Sequence, residues 1–289
     1  MRIIDNLSEM TETARGWLAG GSVGFVPIMS TLHDGHSTLI RAALEECEII
    51  VVSILECSLK KFDENSCFRS DFLRDLKNDL RRLSHTDVDV VFVPRQEDLY
   101  APGFATYVTP IGPIAERLEA RRRPDSVRRF ATAITKLLQI IRPDVAYFGQ
   151  KDAQQVAIVK QLVRDLNIDV SLRVLPTLRE SSGLAISGRN SWLSAQERKE
   201  AALIYQALLA ARDLIEHGER RASVIKKMIM ELIASSPHVD LEYVAVCHPQ
   251  TFIERQEAEP DTLLAIAVRV GGICLIDNIL WMSDGQWRI

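Results

Sequence analysis

The chain has 289 residues, 47% of them hydrophobic and 26% charged, with a net charge of −4. This is the composition of an ordinary globular protein with apolar material for a sizeable core, and the length suggests about two domains. The mild acidity offers no broad basic field for nucleic acid or an anionic membrane surface, and runs such as IIVVSIL (49–55) are too short to cross a bilayer.

The opening segment, MRIIDNLSEM, lacks the apolar centre of a signal peptide, so a cytoplasmic location is expected. VGFVPIM (23–29) is expected to be a buried strand and its exit, followed by a helix from about Ser37 over 37–47. A strand over 48–56 and a charged helix over 70–86 come next, then a strand over 88–94. The spacing predicts a helix over 130–143 stopped by Pro143, a strand over 145–149, a helix over 152–167 and a strand over 170–177. Strands alternating with helices of this length indicate βαβ units and a parallel sheet. Near-continuous apolar strands agree with burial on both faces.

The rhythm changes after about residue 180. One long amphipathic helix is expected over 194–218, opened by a Ser N-cap, with another near 222–235. Strands over 241–248, 262–272 and 273–280 follow, the last two joined by a hairpin turn at Gly271 and Gly272. The expected organisation is an α/β domain over 1–179 and a smaller α+β domain over 180–289. Five cysteines, Cys47, Cys57, Cys67, Cys247 and Cys274, include no CxxC pair, so neither a disulfide framework nor a zinc ribbon is expected.

Three polar stretches stand out. In MSTLHDGHSTLI (29–40), His33 and His36 flank Gly35. A metal site would need further ligands, and no HExxH or Cys cluster supplies them. Two readings remain: loop histidines capping the helix behind them, or a phosphate grip. For the grip, VGFVPIM ends where ligands sit in parallel sheets, Gly35 lets backbone come close, and a helix N-terminus favours anions. In YFGQKDAQQ (147–155), Lys151 lies where phosphate would be and Asp152 could hold ribose hydroxyls or a metal-linked water. SGRN (187–190) places Ser187 and Arg189 in a loop. Each alone could be a solvated loop; three together, two at strand-to-helix switches, favour a nucleotide site.

In order and spacing, PIMSTLHDGH (27–36), VSILECSLKKF (52–62), RPDSVRRF (123–130), YFGQKDAQQ (147–155), SGRN (187–190) and LIDN (275–278) resemble the motifs of the pantothenate synthetase (pantoate–β-alanine ligase) family. The resemblance covers nearly the whole chain. It implies a Rossmann-like nucleotidyltransferase domain with a C-terminal lid domain, and a homodimer; that no nucleic-acid or membrane partner is expected follows from the charge and the short apolar runs. It also implies ATP and Mg2+, and a carboxylic acid activated as an acyl adenylate before an amine attacks. By motif position His33, His36, Lys151 and Arg189 would grip the triphosphate and Met29 would pack against ATP and substrate. Gly35, Gly149 and Asp152 would serve the nucleotide, Ser187 the phosphates and Gln155 the acid.

The departures fall on the organic-substrate side. Cys57 and Ser58 replace a family Asn and Pro, and Lys60 or Lys61 a family Gln. Asp125 and Ser126 replace Gly and His, Arg129 a second Gly, and Gly188 a serine; Ile28 and Ser30 stand for Thr and Gly. Sites that hydrogen-bond a substrate are strict about it, so Cys57, Lys60 and Lys61 are taken as substrate-facing. The basic run at 121–129 is read evenly as a solvated loop or as a site for a more anionic substrate. Three readings follow: an AMP-forming ligase of this family whose acid or amine differs from pantoate and β-alanine, an ordinary pantothenate synthetase, and a non-catalytic nucleotide-binding relative.

Overall fold

The computed structural model describes residues 1–17, 20–55 and 76–289. The chain groups into two compact units. The first comprises Met1–Pro110, Asp125–Gly149 and Ile158–Leu175; the second takes Ile111–Pro124, Gln150–Ala157 and Pro176–Ile289, so the chain passes between them several times.

The first unit is built on a six-stranded sheet in the order β1-β4-β3-β2-β5-β6, with β1 Arg2–Ile4, β2 Val23–Ile28, β3 Ile49–Ile54, β4 Val90–Phe92, β5 Val145–Gly149 and β6 Ser171–Leu175. Every paired neighbour runs parallel. All six residues of β2 are buried, as a central strand with both faces covered requires. Helices α1 (Leu7–Trp17), α2 (Asp34–Glu46), α3 (Leu76–Leu83) and α4 (Pro124–Ile141) belong to this unit, α4 apart from its first residue. Val26, Ile28, Ile40, Ala43, Val52, Ile54 and Leu83 form a common core. The strand order reverses between β2 and β5, and in open parallel sheets that switch point is where ligands sit, beyond the carboxyl ends of the strands. The chain leaves β2 into residues 29–36 and leaves β5 into a 3-10 turn, Gln150–Asp152, that opens α5 (Ala153–Asp165).

Several boundaries differ from the sequence reading. Helix α2 begins at Asp34 rather than near Ser37, because His33 serves as its N-cap. Helix α4 begins at Pro124, so Asp125–Arg129 are helical; Pro lacks an N–H that the first turn would leave unpaired anyway. Of the helix expected over 70–86, the part from Leu76 to Leu83 is helical, while 70–75 lies outside the described residues.

The second unit holds a four-stranded antiparallel sheet in the order β10-β9-β8-β7: β7 Val239–Cys247, β8 Thr262–Val270, β9 Ile273–Trp281 and β10 Trp287–Arg288. Gly271 and Gly272 turn between β8 and β9 with φ of 55° and 79°, the positive values a two-residue hairpin loop demands. The single helix expected over 194–218 divides at Ala202 into α6 (Ala195–Ala201) and α7 (Leu203–Glu216). Ser194 does cap it, in a reciprocal box with Glu197. With α8 (Ala222–Ile233), these helices pack Ile204, Leu208, Ile215, Ile225, Ile229 and Ile233 against Leu264, Ile266 and Val268 of β8. No helix among the described residues is long and apolar enough to cross a membrane.

A buried ion pair ties Arg179 to β9. Asp277, 3% exposed, accepts bonds from Arg179 at 2.5 and 3.1 Å, and the guanidinium lies 3.9 Å from the Tyr205 ring centroid. Removing one partner of a buried pair leaves an uncompensated charge. Asp277→Ala is expected to lower the unfolding free energy by about 3–5 kcal/mol, and Asp277→Ala with Arg179→Met by less, as read by denaturant titration.

Candidate active site

In the first unit, the turn after β2 is fixed around two stacked imidazoles. The His33 backbone N–H donates to His36 Nδ1 at 3.3 Å, and the His36 N–H donates back to the His33 carbonyl at 2.8 Å. The two rings lie 3.8 Å apart at 27°. Helix capping, one of the two readings open for these histidines, is therefore present. A Cβ at Gly35 would lie 3.0 Å from His33 Cε1 and Nδ1, tighter than ordinary contact, so the imidazole would have to shift. Met29 is half-buried and Ser30 exposed.

Helix α3 grips the residue just before the histidines. The carboxylate of Asp79, fully buried, accepts the Leu32 N–H at 3.3 Å from each oxygen. Arg82 donates to the Leu32 carbonyl at 2.9 Å and pairs with Asp34 at 2.9 Å. Sequence reasoning missed these two. The signal was there for Asp79: it interrupts the apolar stripe of α3 between Leu76 and Leu83, an inward position where a charge needs partners.

In the second unit, Lys151, Ser187, Arg189, Asn190 and Asp277 line one cavity, walled by Leu184 and Leu275. Lys151 is mostly covered, with 17% of its side chain exposed, and its ammonium lies 3.8 Å from Asp152. Ser187 caps the 3-10 turn Gly188–Trp192 by accepting the Arg189 N–H at 3.3 Å. Arg189 Nη1 donates to the Cys274 carbonyl of β9 at 2.7 Å. Asn190 Nδ2 donates to Glu180 at 2.9 Å and to the Ala185 carbonyl at 3.0 Å. The Arg198 guanidinium, with help from Asn190, holds the Glu180 carboxyl below the usual carboxylate range.

The two glutamines of YFGQKDAQQ differ. Gln154 is a brace: its Nε2 donates to the Ile114 and Arg117 carbonyls, each at 2.9 Å, and its Oε1 accepts the Ala120 N–H at 3.1 Å. Gln155 is exposed on the first turn of α5. Gly149 ends β5, opposite Leu175. Cys57, Lys60 and Lys61 lie outside the described residues.

Two arginines of the basic run at 121–129 are engaged by the chain's own acids. Arg122 pairs with Glu242 of β7 at 2.7 Å, and Glu242 also takes Arg269 at 2.6 Å and the Cys274 thiol at 3.1 Å. Burial opposes ionisation of Glu242, but Cys274, Arg122 and Arg269 outweigh it and carry the carboxyl below its ordinary range. Arg128 pairs with Asp125 at 3.2 Å and lies 4.9 Å from the Tyr107 ring centroid. Among the described residues, no cluster of three or more His, Cys, Asp or Glu side chains forms a metal cage.

The fold is that of an α/β protein: a parallel sheet with polar turns at its switch point, and an antiparallel unit in which a lysine, an arginine, a serine, an asparagine and an aspartate line one cavity. Residues 2–280 match the family profile described as pantoate-beta-alanine ligase. A pantothenate synthetase of Dehalococcoides mccartyi (strain CBDB1) is 42% identical over 259 residues, covering 90% of this chain and 96% of the relative. The crystal structure of pantothenate synthetase from Thermus thermophilus superposes with a TM-score of 0.88 at 34% identity, covering 96% of this chain and 98% of that one. That of pantoate-beta-alanine ligase from Francisella tularensis, complexed with beta-gamma ATP and beta-alanine, gives 0.75 at 30% identity, covering 97% of each chain. The chain belongs to the pantoate–β-alanine ligase family and is a carbon–nitrogen ligase.

The loop behind the cavity depends on Gly183, which has φ +90° and whose added Cβ would lie 2.3 Å from Tyr205 Cδ1. Gly183→Ala is expected to cost on the order of 1–3 kcal/mol from backbone strain, with the ring clash added. A thermal midpoint equal to that of the unmodified protein would contradict this account of the loop.

Proposed function

We propose that the protein joins pantoate to β-alanine at the expense of ATP, releasing pyrophosphate and AMP. Lys151, Ser187 and Arg189, the side chains that the resemblance assigns to phosphate, line one cavity, and this observation carries the reading. The family membership and the relative complexed with an ATP analogue and β-alanine support it.

In the first step a carboxylate oxygen of the acid attacks the α-phosphorus, and the bond to the β-phosphate breaks. Negative charge grows on the departing pyrophosphate, and fixed cationic donors act most strongly there. By resemblance, the proposed donors are Lys151, Arg189, His33 and His36. Met29, Gly35, Gly149 and Asp152 are assigned to the nucleotide, and Gln155 to the acid. In the second step the β-alanine nitrogen attacks the acyl carbon, AMP departs and the amine proton is lost. Holding adenylate and amine together replaces an encounter in solution. Mg2+ is proposed as a companion of the phosphates. Asp152, with 45% of its side chain exposed, would hold such an ion through water, and the ion would offset charge on the phosphates. A homodimer is proposed on resemblance alone; a cytoplasmic location is proposed as well.

The departure at Asp125 does not call for a different acid. Asp125 is exposed in the first turn of α4, where it pairs with Arg128, and Arg122 shares Glu242 with Arg269.

Lys151→Ala removes a charged partner of the phosphates, an interaction of about 1.5–3 kcal/mol, so pyrophosphate release should slow by roughly ten- to a hundredfold. Unchanged ATP binding and turnover in that variant would remove the assignment.

A further inference from the structure

Strand β9 holds both cations of the cavity from behind. Near its start, the Cys274 carbonyl accepts Arg189 Nη1. Four residues on, Asn278 meets the turn that bears Lys151. Its Nδ2 donates to the Gln150 carbonyl at 3.1 Å and to the Lys151 carbonyl at 2.9 Å, and its Oδ1 accepts Gln150 Nε2 at 2.8 Å. Asn278 is 3% exposed and Gln150 4%, so both amides are largely shielded from water. A four-residue step along an extended strand spans about 13 Å, which makes β9 a ruler between the two anchor points.

The amide suits this position because it offers donors and an acceptor on one planar group, whereas a carboxylate offers acceptors alone. Asn278 is itself fixed. Its N–H donates to Asp277 Oδ1 at 2.8 Å, Asp277 is paired with Arg179, and its register opposite Ala265 of β8 sets its place on the sheet. Lysine carries its charge on a flexible four-carbon stem, so where the ammonium can reach depends on where its backbone is anchored.

We propose that Asn278 is a positioning residue for Lys151, fixing the carbonyls of the Gln150–Lys151 turn and thereby aiming the ammonium into the cavity lined by Ser187 and Arg189. The inference rests on the assignment of Lys151 to the ATP phosphates.

The test is a double-mutant cycle on nucleotide affinity, measured by calorimetry with β,γ-methylene ATP. It compares the unmodified protein, Lys151→Ala, Asn278→Asp and the double variant. Asn278→Asp keeps the shape of the side chain and its acceptor but removes the two donors. Through Lys151, it should weaken binding about tenfold or more when Lys151 is present and less than about threefold in the Lys151→Ala background. Equal weakening in both backgrounds would mean that Asn278 acts on the fold at large, and no weakening that it does not act on binding; either overturns the inference. If Lys151→Ala alone binds the analogue normally, the phosphate assignment falls and the inference falls with it. If Asn278→Asp does not unfold cooperatively, Asn278→Ser, which shortens the side chain without adding charge, enters the same cycle.

Discussion

Three hydrogen bonds from one buried amide hold the turn that carries Lys151, and the arrangement of the cavity in the second unit depends on them. A buried polar group left without partners is costly, so a position such as Asn278 is tolerated only when every bond is closed. Here the closure extends from Tyr205 under the Arg179 guanidinium to Asp277, then through Asn278 to the turn. Because these contacts are backbone-level or buried, the cationic side chains start from anchored Cα positions.

The first unit uses the same physics on another element. Asp79 and Arg82 of α3 hold both backbone groups of Leu32, and the two imidazoles that follow are stacked at the start of α2. In each case a polar turn leaves the carboxyl end of a central strand and is braced by polar side chains from a neighbouring element. A ligase that meets charge developing on phosphate needs donors already in place, since reorganising them during the reaction would cost free energy. Supporting residues such as Asp79, Arg82 and Asn278 supply that fixity without needing to touch a substrate.

Much of the scaffold was legible. The apolar runs of β2, β3 and β5, the Gly271–Gly272 turn and the Ser194 cap each follow from local chemistry that a single segment carries. What was not legible depends on tertiary partners. Strand β1 is three residues long and gains its place by pairing with β4, some way along the chain. Residues 111–124 and 150–157 group with the antiparallel unit although the parallel sheet surrounds them in sequence. Gln154 and Gln155 are adjacent and alike, yet only contacts show that the first braces the Ile114–Ala120 segment. Arg122 and Arg128 looked like unspent positive charge until Glu242 and Asp125 were seen beside them. For the candidate site, the motifs marked which turns matter, and the structure brought Lys151, Ser187 and Arg189 to one cavity; the residues that hold them lay in segments with no motif that announces support.

The central claim is that a pantoate carboxylate is activated by transfer of an adenylyl group. It is tested most directly by running the reaction with pantoate labelled in its carboxylate with oxygen-18 and weighing the products by mass spectrometry. Attack of that carboxylate on the α-phosphorus, followed by β-alanine attack on carbon, leaves one labelled oxygen in each AMP. Unlabelled AMP, or label found in inorganic phosphate beside ADP, would contradict the account.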